Sequence, residues 1–385
     1  MLQFRIRPAM ERHWDDDRHV VHAEWGRRWS GGVNQAFLLV RGLMARGVPG
    51  TLVCPRGAPL ERRAMMAGVP VVTFPLRGEH SLPTWWRFAR WLCERRRITP
   101  SLIVHAHSRR GALPTLLIAR WLKLPTILHW RVAAPLPRWL VPLADQVIAV
   151  SEASARAAMQ AGIATDRIAV VRSAIEPDHF TPHRDARQQE RIRWGLAKHA
   201  FVVAGVGRLV AGKGYEVVLD ALAAMNENER PILLLAGDGP LGPSLEQMVD
   251  RWRLGLWVRF VGFQDDVRAV LWAADAFVHV PTHFPEGTPN AILEAMAACL
   301  PVIATPVGGT GEIVEPDRTG LLVPPGDTVA LVEALRRLRA DPAERHRLGA
   351  AAQTYVREHH SLNRLVERVN AIYTHLWHEH EAVLC

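Results

Sequence analysis

Short runs of β-branched and aliphatic residues alternate with helix-period segments along nearly the whole chain, the pattern of a parallel α/β protein. In the first half the strand-like runs are HVVHAEW (19–25), GTLVCP (50–55), VPVVTF (69–74), SLIVHAH (101–107), PTILHW (125–130), QVIAVS (146–151) and RIAVVRS (167–173). In the second they are FVVAGVGR (201–208), PILLLAG (231–237), WVRFVGF (257–263), AFVHVP (276–281) and LPVIATP (300–306). A helix is expected over 33–46, with Ala36, Leu39, Val40, Leu43 and Met44 on one face and Gly47 ending it. The polar, proline-interrupted segment 176–200 reads as the connection between two similar halves. A helical, histidine-rich pattern fills 341–381. The simplest architecture is two doubly wound, Rossmann-like α/β domains facing a cleft, 1–180 and 181–360. A C-terminal helix, 361–385, can return to pack on the first.

Length and composition agree: 385 residues, 49% hydrophobic and 22% charged, suit about two globular domains. Cys54, Cys93, Cys299 and Cys385 are scattered without metal-ligand spacing, which points to a reducing compartment. The first twenty residues hold no apolar signal-like core, and no run of eighteen apolar residues occurs, so a cytoplasmic protein is expected. The net charge of +9 favours anionic partners: nucleotides, nucleic acid or an anionic membrane surface. Nucleic acid is set aside, because the arginines are dispersed and no helix-turn-helix, zinc or RNA-binding signature is present.

The most informative stretch is PEGTPNAILEAMAACLPVIATPVGG, 285–309. Thr288 suits a helix N-cap and Pro289 the first helical position. Unsatisfied backbone N–H groups at such a start can hold a diphosphate, and Gly287 clears space for a ligand near the backbone. Glu294 lies inside the helix, its side chain leaning back toward the N-terminus, where a carboxylate can accept bonds from vicinal ribose hydroxyls. Glu286, ahead of the helix, would meet the hydroxyls of a second group. Two glutamates flanking a helix start can also simply be solvated. In GVGRLVAGKG, 205–214, Arg208 and Lys213 sit in a glycine-rich turn ahead of another helix. A guanidinium and an ammonium aimed at one point would serve a diphosphate leaving group. The alternative is an ordinary basic β–α turn.

GRLVAGKG, LLLAGDGP, VRFVGFQDDV, ADAFVHVP, the 285–309 stretch and GLLVPPGD occur in an order and spacing that resembles the retaining glycosyltransferases of family 4, which have the GT-B fold. The first half resembles the family's acceptor domain more loosely, through SGGVNQAFLLVRGLMARG, SLIVHAH and ADQVIAVSEASARAAMQAG. The resemblance implies that Glu286 contacts the donor sugar, Glu294 binds ribose, Arg208 and Lys213 neutralise the diphosphate, and Gly31-Gly32 form a turn that approaches the donor phosphates. Gly287, Thr288 and Asn290 belong with the donor site, and the base would lie near Gly262 and Phe263. In VHAHS, His107 at the strand end is assigned to the active site beside sugar and acceptor, and His105 to a structural role. His129 and Arg131 are secondary candidates. The family's Pro-Asn-Gly turn is replaced here by Arg172-Ser173-Ala174, which leaves the shape of the interdomain turn open.

The activity that the resemblance implies is a retaining, metal-independent glycosyl transfer. It would run from a nucleotide-diphosphate sugar to a hydroxyl of a glycan or lipid-linked acceptor, in cell-envelope polysaccharide or lipopolysaccharide synthesis. No cofactor is expected, because cationic side chains do a metal's work. Asp15-Asp16-Asp17 formally contains D-x-D, a metal motif of another glycosyltransferase fold, but sits in a polar tail. In LPTWWRFARWLCERRR, 82–97, Trp85, Phe88, Trp91 and Leu92 share one face and the arginines another. That suits docking on an anionic inner membrane, or an ordinary helix packed on its sheet. An inactive GT-B scaffold partner and a nucleotide-sugar epimerase of the same fold are the competing readings.

Overall fold

The computed structural model describes residues 18–76 and 81–384, so Asp15, Asp16 and Asp17 lie outside the described residues. The chain divides into two compact units, Met1–Ser173 with Leu362–Cys385, and Ala174–Ser361. The division falls inside the Arg172-Ser173-Ala174 turn.

The first unit holds β1 (Arg18–Ala23), β2 (Gly50–Pro55), β3 (Val71–Phe74), β4 (Ser101–Ala106), β5 (Thr126–Trp130), β6 (Gln146–Ala149) and β7 (Ile168–Val170). They form one parallel sheet in the order β3-β2-β1-β4-β5-β6-β7. The second unit holds β8 (Val202–Val206), β9 (Ile232–Ala236), β10 (Val258–Gly262), β11 (Ala276–His279), β12 (Val302–Ala304) and β13 (Gly320–Leu322). Its parallel sheet runs β10-β9-β8-β11-β12-β13. Both orders reverse once, between β1 and β4 and between β8 and β11. At such a reversal the loops leaving the carboxyl ends part, and ligands of open α/β sheets bind there. Strands covered on both faces read as near-continuous apolar runs, as in the fully buried β2 and β4.

Several boundaries depart from the expectations. The first helix is Gly31–Ala45 rather than 33–46, because the Ser30 hydroxyl accepts from Val33 N at 3.4 Å and takes both glycines into the first turn. The helix in the 285–309 stretch is Asn290–Ala297 with Pro289, not Thr288, at the N-cap. Segment 176–200 is not a free connection. It belongs to the second unit, where buried Arg191 donates to Ala273 O at 3.1 Å, Ala200 O at 3.0 Å and the Asp275 carboxylate at 2.6 Å. The apolar stripe of the helix Leu82–Ile98 lies in the core: Trp85, Phe88, Trp91 and Leu92 pack with Trp25 and Phe74.

The C-terminal helical pattern is two helices, Pro342–His359 and Leu362–Leu384. They break where Ile175 N donates to His360 O at 2.9 Å and pairs with Ser361. The last helix packs on the first unit's sheet. Trp377 Nε1 donates to Ser101 O at 3.0 Å, Tyr373 OH meets His105 Nδ1 at 2.6 Å, and Arg18 grips Glu381 through two bonds of 3.2 and 3.1 Å.

Candidate active site

In the second unit two glycine turns are pressed together at the β8/β11 reversal. Gly214 has φ +79°, and a Cβ there would lie 1.8 Å from Val280 O, so only glycine lets the turn after β8 touch the end of β11. Thr282 N donates to Gly212 O at 2.9 Å and locks the contact. Gly308, at φ +60°, meets the Glu286 carbonyl in the same way, and Gly309 N donates to that carbonyl at 3.0 Å. The PVGG that ends the 285–309 stretch therefore clamps the Glu286 backbone.

These contacts bring Lys213 and Glu286 into a direct ion pair. The Lys213 ammonium also lies 4.4 Å from the Phe284 ring centroid. His279, the last residue of β11, completes the cluster with Nε2 3.1 Å from the same Glu286 Oε1. Burial alone would raise the Glu286 carboxyl, but the His279 bond and the Lys213 charge outweigh it and hold the group at about 2. Burial pushes the imidazole of His279 below its ordinary value, so at neutral pH it donates as an uncharged Nε2–H. Tyr215 OH is buried without a partner. Arg208 is exposed on the turn before Lys213, with no ion pair among the described residues.

Glu294 is part-buried on the helix Asn290–Ala297 and does not join the Lys213–Glu286 pair. Its carboxyl is pushed up to about 7, chiefly by burial and then by the Asp266 carboxylate. Gly287 is buried, Thr288 and Asn290 are part-buried at the helix start, and Phe263 is half-exposed just past β10. His279 was missed in the sequence because it ends an apolar run and reads as a strand residue; its place opposite Glu286 exists only once the loop folds back.

In the first unit the β1/β4 reversal gathers a different set. His22, His105, His107 and His129 are all buried on one face of β1, β4 and β5. Arg131 donates to His107 O, His107 Nδ1 and His129 Nδ1, each at 3.3 Å. A guanidinium only donates, so both Nδ1 atoms accept and both rings carry Nε2–H. His107 then donates to His22 Nδ1 at 3.0 Å. His107 was expected to face ligands at the strand end; instead it is fully buried with both ring nitrogens engaged. Arg131, a secondary candidate, orders the network. Gly32 lies beside it, its Cβ position 3.6 Å from Arg131 Cδ, and Gly31 precedes it in the same first turn.

Burial, and the neighbouring histidines and Arg131, push His105, His107 and His129 well below their ordinary values, and burial takes His22 to about 3. Three of these rings place nitrogens within 4.8 Å of one another, a spacing open to a metal. The charge does not fit a cation: it would displace the His107 proton and sit against a guanidinium already bonded to that ring.

Comparison with known proteins matches this division. The family model of the Glycosyl transferase 4-like domain matches residues 30–174, and that of Glycosyl transferases group 1 matches residues 186–355. Two glycosyltransferase family models thus cover one unit each, and the fold is the two-domain, Rossmann-like GT-B fold. It is 38% identical over 179 residues to the lipopolysaccharide core biosynthesis glycosyltransferase LpsD of Rhizobium meliloti, covering 46% of this chain and 51% of that one. It is 29% identical over 259 residues to the alpha-D-kanosaminyltransferase of Streptomyces kanamyceticus, 65% of this chain and 66% of the other. The chain thus matches about half to two thirds of the length of these curated relatives. Anabaena Alr3699/HepE, solved in complex with UDP and glucose, superposes with a TM-score of 0.83 at 21% identity, covering 93% of this chain and 99% of that one.

Proposed function

We propose that this chain is a retaining glycosyltransferase of family 4 that moves a sugar from a nucleotide-diphosphate sugar to a hydroxyl of a glycan or lipid-linked acceptor in envelope polysaccharide or lipopolysaccharide synthesis. The observation that carries the reading is the Lys213–Glu286–His279 cluster, set at the carboxyl ends of β8 and β11 inside the segment matched by the group 1 model. Arg208 and Lys213 take up the charge of the departing nucleoside diphosphate, assisted by the N–H groups that open the helix at Asn290. Glu286 accepts from donor-sugar hydroxyls while the His279 bond holds its carboxylate in place. Glu294 accepts from the ribose. No metal or other cofactor is needed, since these cations meet the leaving group directly. The relatives named for lipopolysaccharide core biosynthesis support the acceptor class.

A site of action at the inner face of an anionic membrane belongs to the same reading. No helix among the described residues is long and apolar enough to cross a membrane. Leu113, Leu117 and Trp121 recur every fourth residue on the helix Ala112–Trp121 and are 37%, 47% and 76% exposed, bordered by Arg110, Arg120 and Lys123. This stripe, rather than the buried one on Leu82–Ile98, has the composition of an interfacial surface. Co-sedimentation with anionic vesicles at low salt, lost in Trp121→Ala, tests it; no sedimentation of the wild type would sink it.

The transferase reading is tested with a panel of UDP-, GDP- and ADP-sugars, scored for binding and slow hydrolysis by purified protein in the presence of a chelator. One donor is expected to bind and to be lost in Glu294→Ala. A folded protein that binds none would favour an inactive partner protein of the same fold.

A further inference from the structure

A second cavity lies at the opposite edge of the second unit's sheet. It has a volume of about 590 Å³ and is lined where the amino ends of β8, β9 and β11 begin, by Phe201, Ile232 and Asp275 among others. That size is in the range of small-ligand sites. The Lys213–Glu286 cluster is built from loops at the carboxyl ends of β8 and β11, so the two sites are separated by the length of the strands.

The charge of its wall is lopsided. Arg187, Lys198, Arg230, Arg339 and Arg345 line it against a single carboxylate, Asp275. That carboxylate is already shared by Arg187 and Arg191. Arg230 is anchored on the backbone: its Nε donates to Leu222 O at 2.8 Å and Met225 O at 3.0 Å. Among the described residues its one ion-pair partner, the well exposed Glu227, is 3.9 Å away. Arg345 likewise donates to the Leu338 and Arg339 carbonyls. Both guanidiniums are held in place without being neutralised. Each also stands over an aromatic ring, Arg345 at 5.3 Å from Phe201 and Arg230 at 4.8 Å from Trp257, which fixes their planes. Arg339 presents the sharpest feature: its NH1 is buried and has no hydrogen-bond partner. A buried charged donor left unpaired is costly, and an acceptor arriving from a ligand would remove that cost. Lys198 is exposed at the same cavity and adds a flexible ammonium.

We infer that this cavity is a second anion site, for a small molecule carrying a phosphate or pyrophosphate group, distinct from the donor site. Arg230 and Arg345 supply guanidiniums held by backbone carbonyls, Arg339 the unpaired donor, and Lys198 closes over the anion from solvent. Guanidinium forks match phosphate oxygens in pairs, and several uncompensated cations around one cavity favour multiply charged groups over a lone carboxylate.

The test uses pyrophosphate and inorganic phosphate as probes on the full chain. Calorimetry is done in an Arg208→Ala/Lys213→Ala background, so that the donor site does not count. Saturable binding of pyrophosphate is expected with a stoichiometry of one, tighter than phosphate. It should weaken at least tenfold in Arg339→Ala and several-fold in Lys198→Ala, and stay within twofold in a charge-matched control in the other unit, Arg138→Ala. Lys198 is exposed, so its variant keeps the test readable if the Arg339 variant folds poorly. Absence of binding in the background protein would overturn the inference. So would equal weakening by the control, which would mean diffuse attraction to a basic protein. Neither result bears on whether nucleotide sugars bind at Lys213 and Glu286.

Discussion

The two units share one strand order and yet place opposite chemistry at the equivalent reversal. At β8/β11 the groups are charged: Lys213 and Glu286 pair, with Arg208 open to solvent. At β1/β4 the groups are neutral imidazoles in a buried network, with one guanidinium, Arg131, bonded to two of them, while His105 Nε2 and His129 Nε2 have no partner. Topology decides where loops part and side chains converge. Residue type then decides whether charged groups or neutral ones gather there.

The largest expected effect separates the units by pH. His22, His105, His107 and His129 are neutral in the folded unit and charged in the unfolded chain below the ordinary histidine value. Their contribution to stability is therefore full above about pH 6.5 and is lost as pH falls toward the folded values, about 3 for His22. Each imidazole kept neutral in the fold steepens the loss, because the unfolded chain takes up a proton that the folded unit excludes. Glu24, a buried carboxyl pushed up by burial, works in the opposite sense and offsets part of it. Hydrogen exchange at pH 5 and pH 7 should show β1, β4 and β5 losing protection in acid well before β8 and β11. Equal loss in both units would break the comparison.

Next in size is the charged side. Lys213→Ala removes a cation from the leaving group and leaves Glu286 buried without its ion pair, so turnover of the donor should fall about 10²–10³-fold. His279→Leu keeps the volume but removes the Nε2–H that holds Glu286; kcat should fall about tenfold with KM nearly unchanged. His279→Gln, which can restore a donor near the same position, should recover most of it. A Leu variant with wild-type kcat would show that His279 acts through packing alone.

Legibility in the sequence followed the same divide. The apolar runs disclosed the strands of the first sheet and all but β13 of the second, because buried parallel strands are nearly all apolar; β13, Gly320–Leu322, is too short to stand out. Lys213, Glu286 and Glu294 stood out because charged residues in glycine-rich turns and at a helix start have few structural uses. His107 stood out too, but strand-end position does not reveal that the last helix, Leu362–Leu384, covers the histidine layer through Tyr373. The Trp85–Trp91 stripe has the same helical spacing whether it faces lipid or a sheet, so its burial could be settled only by the fold. His279 pairs with a residue seven positions on, across a loop whose path depends on Gly214 and Gly308 contacts with other segments.

The smallest effect isolates Glu294. Its carboxyl, held at about 7 by burial and Asp266, is roughly half ionised at neutral pH in the ligand-free protein. Vicinal ribose hydroxyls donate, so they are held by the carboxylate rather than the acid, and binding releases a proton. Affinity for the nucleotide sugar should rise between pH 6 and pH 8, by roughly tenfold at most, and level off above. The phosphates of a nucleotide sugar are both diesterified and do not titrate in this range, which keeps the profile a property of the protein. Glu294→Gln keeps one acceptor and cannot ionise. It should bind a few-fold more weakly at pH 8 and show a flat profile. If the variant retained the slope, the proton would come from elsewhere in the site, and Glu294 would not be the group that meets the ribose.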